Sequence, residues 1–280
     1  MQSKSLVSLE RAAAGPDRSR PSRRYVVINV SIDKPAETIA QGCGVSIWEA
    51  RQWQAASPYR LLRISDEPAN GATETALRES GLAFFVVAEE AVTRSRNPVR
   101  VESIHATADS VLCTIRDDEE APPARKTFSR DDVVLIVSGL IRREKVKEQV
   151  LRRPPVETRL EDAWLVHFHL KTDERPWEID PGRTAFEGEG LASANMRTLD
   201  LVRSFSTTVP YDEAFKNIVP ALTPAADPRR ELSAFKRDPQ APKKELKIVV
   251  LDNSGQFKEY SAWRGRVEMM RRLNQSGRSE

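Results

Sequence analysis

Cysteine, histidine and aromatic residues are scarce in this 280-residue chain. It holds two cysteines and three histidines, and its aromatic content is 6%. Two thiols seventy positions apart cannot build a disulfide framework or a four-thiolate zinc site. No apolar run approaches the roughly 18 residues of a membrane span, which excludes a helical membrane protein. No apolar core of a signal peptide follows the first charges. Glycine-rich phosphate loops are missing: Gly42-x-Gly44 and Gly188-x-Gly190 lack the remaining residues of either nucleotide-binding pattern, and no Gly-x-Ser-x-Gly elbow occurs. These absences point to a soluble, cytoplasmic protein with no cofactor.

What is present is charge, at 30% of residues with a net +3. It is unevenly spread. Residues 1–24 carry six basic against two acidic side chains, and residues 229–280 carry thirteen against seven, which leaves about −7 for the body between them. A folded nucleic-acid reader concentrates basic residues on its docking face. Here only the ends could act in that way.

The first ordered stretch is Tyr25-Val26-Val27-Ile28-Asn29-Val30, β-branched and apolar, a strand. A short helix is expected from Ala36 to Gln41. Ser46-Ile47-Trp48-Glu49 has the form of a capping box, so a helix starts there and runs to about Ala56, where Pro58 stops it. Tyr59 to Ile64 reads as a strand, residues 68–80 as a helix with Gly81 at its left-handed cap, and Leu82 to Val87 as a third strand. The order is strand, two helices, strand, helix, strand.

That pattern, carried by Gly44, Glu49, Ala50, Pro58 and Gly81, resembles the C-terminal domain of the bacterial ribosomal stalk protein and the ClpS adaptors that share its fold. The resemblance covers about 60 residues and implies a fold. In place of the Lys-rich face that the stalk family uses on translation factors, this chain carries Trp48, Gln52 and Trp53.

A second region begins near Val99. Strands are expected at 99–104, 110–115, 125–129, 132–139, 164–170 and around Trp177-Glu178-Ile179, and a helix capped by Ser193 from Ala194 to Phe205. Charged Ile141 to Lys147 continues the fourth strand outward, and 148–160 reads as a loop. Trp164, Val166, Phe168 and Leu170 share one strand face. Several short strands closed by one helix, with the phrase Phe-Ser-Arg-Asp-Asp-Val-Val-Leu-Ile, resemble bacterial pleckstrin-homology-like domains over residues 98–210. Such barrels serve as protein- or lipid-docking platforms, and the resemblance implies that role. After Pro220 prolines and charges dominate, with a late strand at Leu246–Leu251 and a basic helix from Tyr260 to Leu273 that docks on a partner or on its own body.

The expected fold class is therefore α+β. A basic arm (1–24) precedes a small β-α-α-β-α-β module (25–95). A pleckstrin-homology-like barrel or sandwich closed by a helix follows (98–215), and then a linker and basic tail (216–280).

His167-x-His169 is the chemically suggestive pair, because two imidazoles on one strand face could share a metal. The face opposite Trp164 and Phe168 reads as solvent-exposed, and His105, a cysteine or a carboxylate would have to complete the set. Cys43 reads as a small apolar filler or as a thiol activated by a helix N-terminus, and Cys113 as core. Trp48 and Trp53 lie about one and a half helical turns apart, so they cannot both face the core. Exposed aromatics of this kind mark docking surfaces. The expectation is a non-catalytic adaptor or scaffold that binds another protein through Trp48, Gln52, Trp53 and Trp263. The alternatives are a nucleic-acid or ribosome-associated factor working through its basic ends, and a metal-dependent enzyme built on His167 and His169.

Overall fold

A computed structural model of the chain describes residues 23–31, 33–66, 69–107, 110–117, 122–149, 158–187, 193–217, 223–224 and 246–276. The basic arm expected over 1–24 lies almost wholly outside the described residues, as does the proline-rich stretch 225–245. Among the described residues no helix is long and apolar enough to cross a membrane.

The fold is α+β. It opens with β1 (Arg24–Asn29), α1 (Ala36–Cys43), α2 (Ile47–Ala56), β2 (Tyr59–Ser65), α3 (Ala72–Glu79) and β3 (Phe84–Ala88). The capping box forms as the sequence dictates. The Ser46 hydroxyl accepts from the Glu49 backbone N–H at 3.1 Å, and the Ser46 N–H donates to the Glu49 carboxylate at 2.9 Å. Gly81 takes the left-handed conformation, φ 68°, just past α3. The three strands form an antiparallel sheet in the order β2-β1-β3. One face of β1 (Val26, Ile28) packs with Ile39, Ala50 and Leu77 from the three helices.

A short helix, α4 (Glu89–Ser95), follows β3 directly. The larger sheet begins with β4 (Val99–Ala106), β5 (Ser110–Arg116) and β6 (Ala124–Ser129). A long hairpin follows, β7 (Val133–Gln149) and β8 (Thr158–Leu170), and then β9 (Trp177–Ile179) and β10 (Ala185–Phe186). Next come α5 (Ala194–Ser206), β11 (Tyr211–Asp212), β12 (Thr223–Pro224), β13 (Leu246–Asp252) and α6 (Ser254–Ser276). The ten-stranded sheet runs β12-β13-β7-β8-β9-β4-β5-β6, with β10 beside β4 and β11 beside β7. Its two ends do not pair among the described residues, so of the expected barrel or sandwich the structure has an open sheet with α5 packed on one face. Where a loop was expected over 148–160, β7 and β8 extend as paired strands to Val146 and Thr158.

As expected, Val166, Phe168 and Leu170 share a face, with Trp164 packed at its margin. They join Val111, Cys113, Ile115 and the α5 residues Leu201, Val202 and Phe205 in one core. Phe128 anchors it, with its ring 5.3 Å from Trp177, 5.7 Å from Phe168 and 5.9 Å from Phe205.

The opposite face of β7 and β8 holds the principal departure from expectation. The segment expected as a linker and tail returns to the body. β13 pairs with β7 along the outer half of the hairpin. α6 lies between the two sheets, with Phe257, Tyr260, Trp263 and Val267 in one apolar cluster with Tyr25, Val27 and Val87 on one side and Leu135, Val137, Ile141 and Leu165 on the other. Burial of both strand faces is the physical reason that β1 and the first half of β7 are apolar at almost every position. Trp263, expected on a docking surface, is buried in this cluster.

Candidate functional site

α6 brings a dense polar cluster into the interior. Its midsection buries Ser261, Arg264 and Glu268 beside the aromatic residues, and β8 buries His167 and His169 beneath them. The expectation of solvent-exposed strand histidines is thus corrected, because the face that alternation left open is covered by a helix from about ninety residues downstream.

The Ser261 hydroxyl lies 2.8 Å from His167 Nδ1 and 2.9 Å from His169 Nε2. On its other side His167 Nε2 lies 3.2 Å from Glu178 on β9, and Lys258 Nζ is 3.7 Å from the same carboxylate. Burial pushes the Glu178 carboxyl upward, but the His167 N–H together with the positive charges of Lys258 and Arg100 outweighs it and holds the group below the usual carboxylate range. Glu178 is therefore an ionised acceptor, and the proton positions follow by accounting. His167 donates from Nε2 to Glu178, so its Nδ1 is bare and accepts from Ser261 O–H. The Ser261 oxygen in turn accepts from His169 Nε2–H. The remaining His169 nitrogen, Nδ1, lies against Gly265, where a Cβ would run into the ring.

Burial lowers the pKa of His167, outweighing the raising effect of Glu178. Burial lowers His169 well below the usual range, reinforced by His167, Arg264 and Arg266. Both rings are neutral in this arrangement.

The same geometry bears on the alternative of a metal at the two histidines. The two imidazoles converge on a hydroxyl, and His105 is exposed on β4. Among the described residues no group of three or more His, Cys, Asp or Glu is placed to hold a metal ion. Ser261, His167 and Glu178 are the residue types of an acyl-transfer triad. Ser261 is fully buried, however, beneath the aromatic residues of α6. A groove of about 370 Å³ lies elsewhere, between α5 and β4, lined by Ile104, Phe186, Leu201, Phe205, Arg130 and Arg197.

The cationic side chains of α6 are spent inside the protein. Arg264 donates to Asp212 at 2.7 Å and lies 4.2 Å over the Tyr59 ring, while Tyr260 O–H donates to the same carboxylate at 2.9 Å. Arg266 donates to Ser95 at 2.9 Å, Arg271 to Glu268 at 2.6 Å, and Arg272 to the Val134 carbonyl at 2.7 Å. These arginines were counted toward a basic tail, and that reading is corrected for α6.

Of the aromatic candidates, Trp48 is 67% exposed, next to Ile47 at 45%, and Gln52 is exposed one turn on. Trp53 is half-buried against the helix core, with the Arg60 guanidinium 5.4 Å over its ring. The two tryptophans diverge as their spacing requires. Cys43 ends α1, at the wrong pole of the helix for activation, and burial pushes its thiol up to about 11. Cys113 is core, pushed up to about 12 by burial.

Sequence reasoning missed Ser261, Glu178 and Gly265. The usable signal was Ser261-x-x-x-Gly265, a small-residue stripe on one side of α6 that lets the helix settle close on β8. Comparison of the chain with protein families, with curated proteins and with solved structures finds no match.

Proposed function

We propose that the chain is a non-catalytic protein-binding protein that engages its partner through the outer face of α2. Exposure of Trp48 carries this reading. α2 buries only Ala50, yet it presents Trp48 and Ile47 side by side to solvent on a helix fixed by a side-chain cap at one end. At the other end Gln54 ties it to the Ser31 and Lys34 carbonyls at 3.2 and 2.8 Å. A rigidly held, exposed tryptophan is the residue type that most often dominates a binding surface. Gln52, exposed one turn on from Trp48, extends the same surface. The element order of residues 24–88 supports a stalk- or ClpS-like first module, and the strands and helix of 99–206 support a pleckstrin-homology-like second one. Both families dock other molecules.

The test compares wild type with Trp48→Ala in chemical cross-linking and affinity capture, with unfolding measured in parallel. Trp48→Ala is expected to leave the unfolding midpoint within about 0.5 kcal/mol of wild type, as for an exposed site. It is expected to lose a stoichiometric protein partner by about 2 kcal/mol or more, some thirtyfold in Kd. Equal capture by both forms overturns the proposal. So does retention of nucleic acid alone, released steeply by salt, which would assign binding to the basic segments.

A further inference from the structure

We propose that the His167–Ser261–His169 cluster is an acid-operated latch, in which proton uptake beneath α6 frees that helix from the large sheet and parts the two sheets it joins. The hydrogen-bond chain explains why it responds to protons. With both rings neutral, every donor in the chain has one acceptor: His169 Nε2–H to Ser261, Ser261 O–H to His167, His167 Nε2–H to Glu178. A proton added to His167 goes on Nδ1 and turns the Ser261 hydroxyl's acceptor into a competing donor. A proton added to His169 goes on Nδ1, which is packed against the backbone of α6 at Gly265. Either event strikes the contact between α6 and β8.

The surroundings give the added charge little relief. From α6 the pair faces the cations Lys258, Arg264 and Arg266, with Glu268 buried beside Arg264; Arg264 is committed to Asp212 and Glu268, Arg266 to Ser95 and Glu174, and the Glu268 charge is shared with Arg271 and Arg272. From β9 it faces Glu178, whose charge is shared with Lys258 and with Arg100 on β4. From β7 it faces the apolar cross-strand partners Leu135 and Val137. Glu178, the carboxylate in contact with the pair, is bonded to His167 on the side away from Ser261 and His169.

The sign follows by linkage. A ring held below its usual range binds fewer protons folded than unfolded. The stability it supports is full above about pH 6.5 and falls as pH drops through that value. Each such ring raises the opening equilibrium by up to about tenfold per pH unit, and the pair by up to about a hundredfold. Glu178, held low, adds loss in the same direction as the pH falls from about 4.5 toward 2, below the range in which the rings act.

The test is hydrogen exchange on the full chain between pH 7.5 and 5.0, corrected for the intrinsic rate, with the histidine ring signals followed by NMR. The exposed His105 supplies a reference signal distinct from the buried pair. Expected is a selective, reversible loss of protection in residues 257–268 and in β1 and β3 below about pH 6.5, while α5 and β5 keep theirs. A second arm uses His169→Gln, which keeps a donor toward Ser261 and removes one titrating ring; it should reduce the steepness to about tenfold per pH unit. If that variant does not fold, the wild-type profile decides. Unchanged protection of α6 down to pH 5.0 overturns the proposal, as does simultaneous loss across α5, β5 and α6.

Discussion

A glycine inside a helix ordinarily costs about 1 kcal/mol relative to alanine, and Gly265 sits near the middle of α6. Replacing it should therefore stabilise the helix if propensity were the only term. The Cβ would meet the His169 ring, and overpacking a closed interior costs about 1–3 kcal/mol. The clash outweighs the propensity gain, so Gly265→Ala should lower the urea midpoint. Gly255→Ala on the same helix, where a Cβ meets nothing within 4 Å, should leave it unchanged or raised. Arg264 calls for a second comparison. Its charge and that of Asp212 are both buried, so Arg264→Met strands a carboxylate in the interior and should cost about 3–5 kcal/mol. Adding Asp212→Asn should recover part of that loss, because Tyr260 and the Ala214 N–H still partner the side chain. A double-mutant cycle read from denaturant unfolding checks both numbers.

Elements whose signals were local were legible. Ser46 and Glu49 announced α2, and the alternation from Trp164 to Leu170 announced one buried face of β8. What the residues could not announce was the cover over the other face. A histidine on a strand suits water or a polar interior equally, and here the deciding contact comes from Ser261, 94 positions beyond His167. A helix over Tyr260 to Leu273 is legible, but where it docks is not, for a related reason. Arg264, Arg266, Arg271 and Arg272 look like solvated charge until their acceptors are found in β11, α4, β7 and the same helix. α4 escaped notice because seven residues running straight on from β3 show too little periodicity to separate from strand. The candidate site followed the same division: the two histidines were picked out in the sequence, but the serine, glutamate and glycine that define their chemistry come from separate elements.

At the level of the whole molecule, α6 makes two sheets into one structure. β1 serves the helix core with Val26 and Ile28 and the α6 core with Tyr25 and Val27. β8 likewise serves two cores with alternate residues. Elements shared in this way leave little room for one module to melt alone at neutral pH. Calorimetry at pH 7.5 should show a single transition whose measured enthalpy equals its van't Hoff enthalpy, and two resolved transitions would contradict the shared-core description.

The contact from Tyr25 to Glu259 closes a loop of 234 positions. A ribosome adding about 5–20 residues per second needs some 10–50 s to make the intervening chain. Throughout that interval the greasy side of β1 and β3 waits for a helix that has not been synthesised. Nascent forms of this protein are thus natural clients for chaperones, and maturation should be gated by the arrival of the last helix rather than by the local folding of the first module.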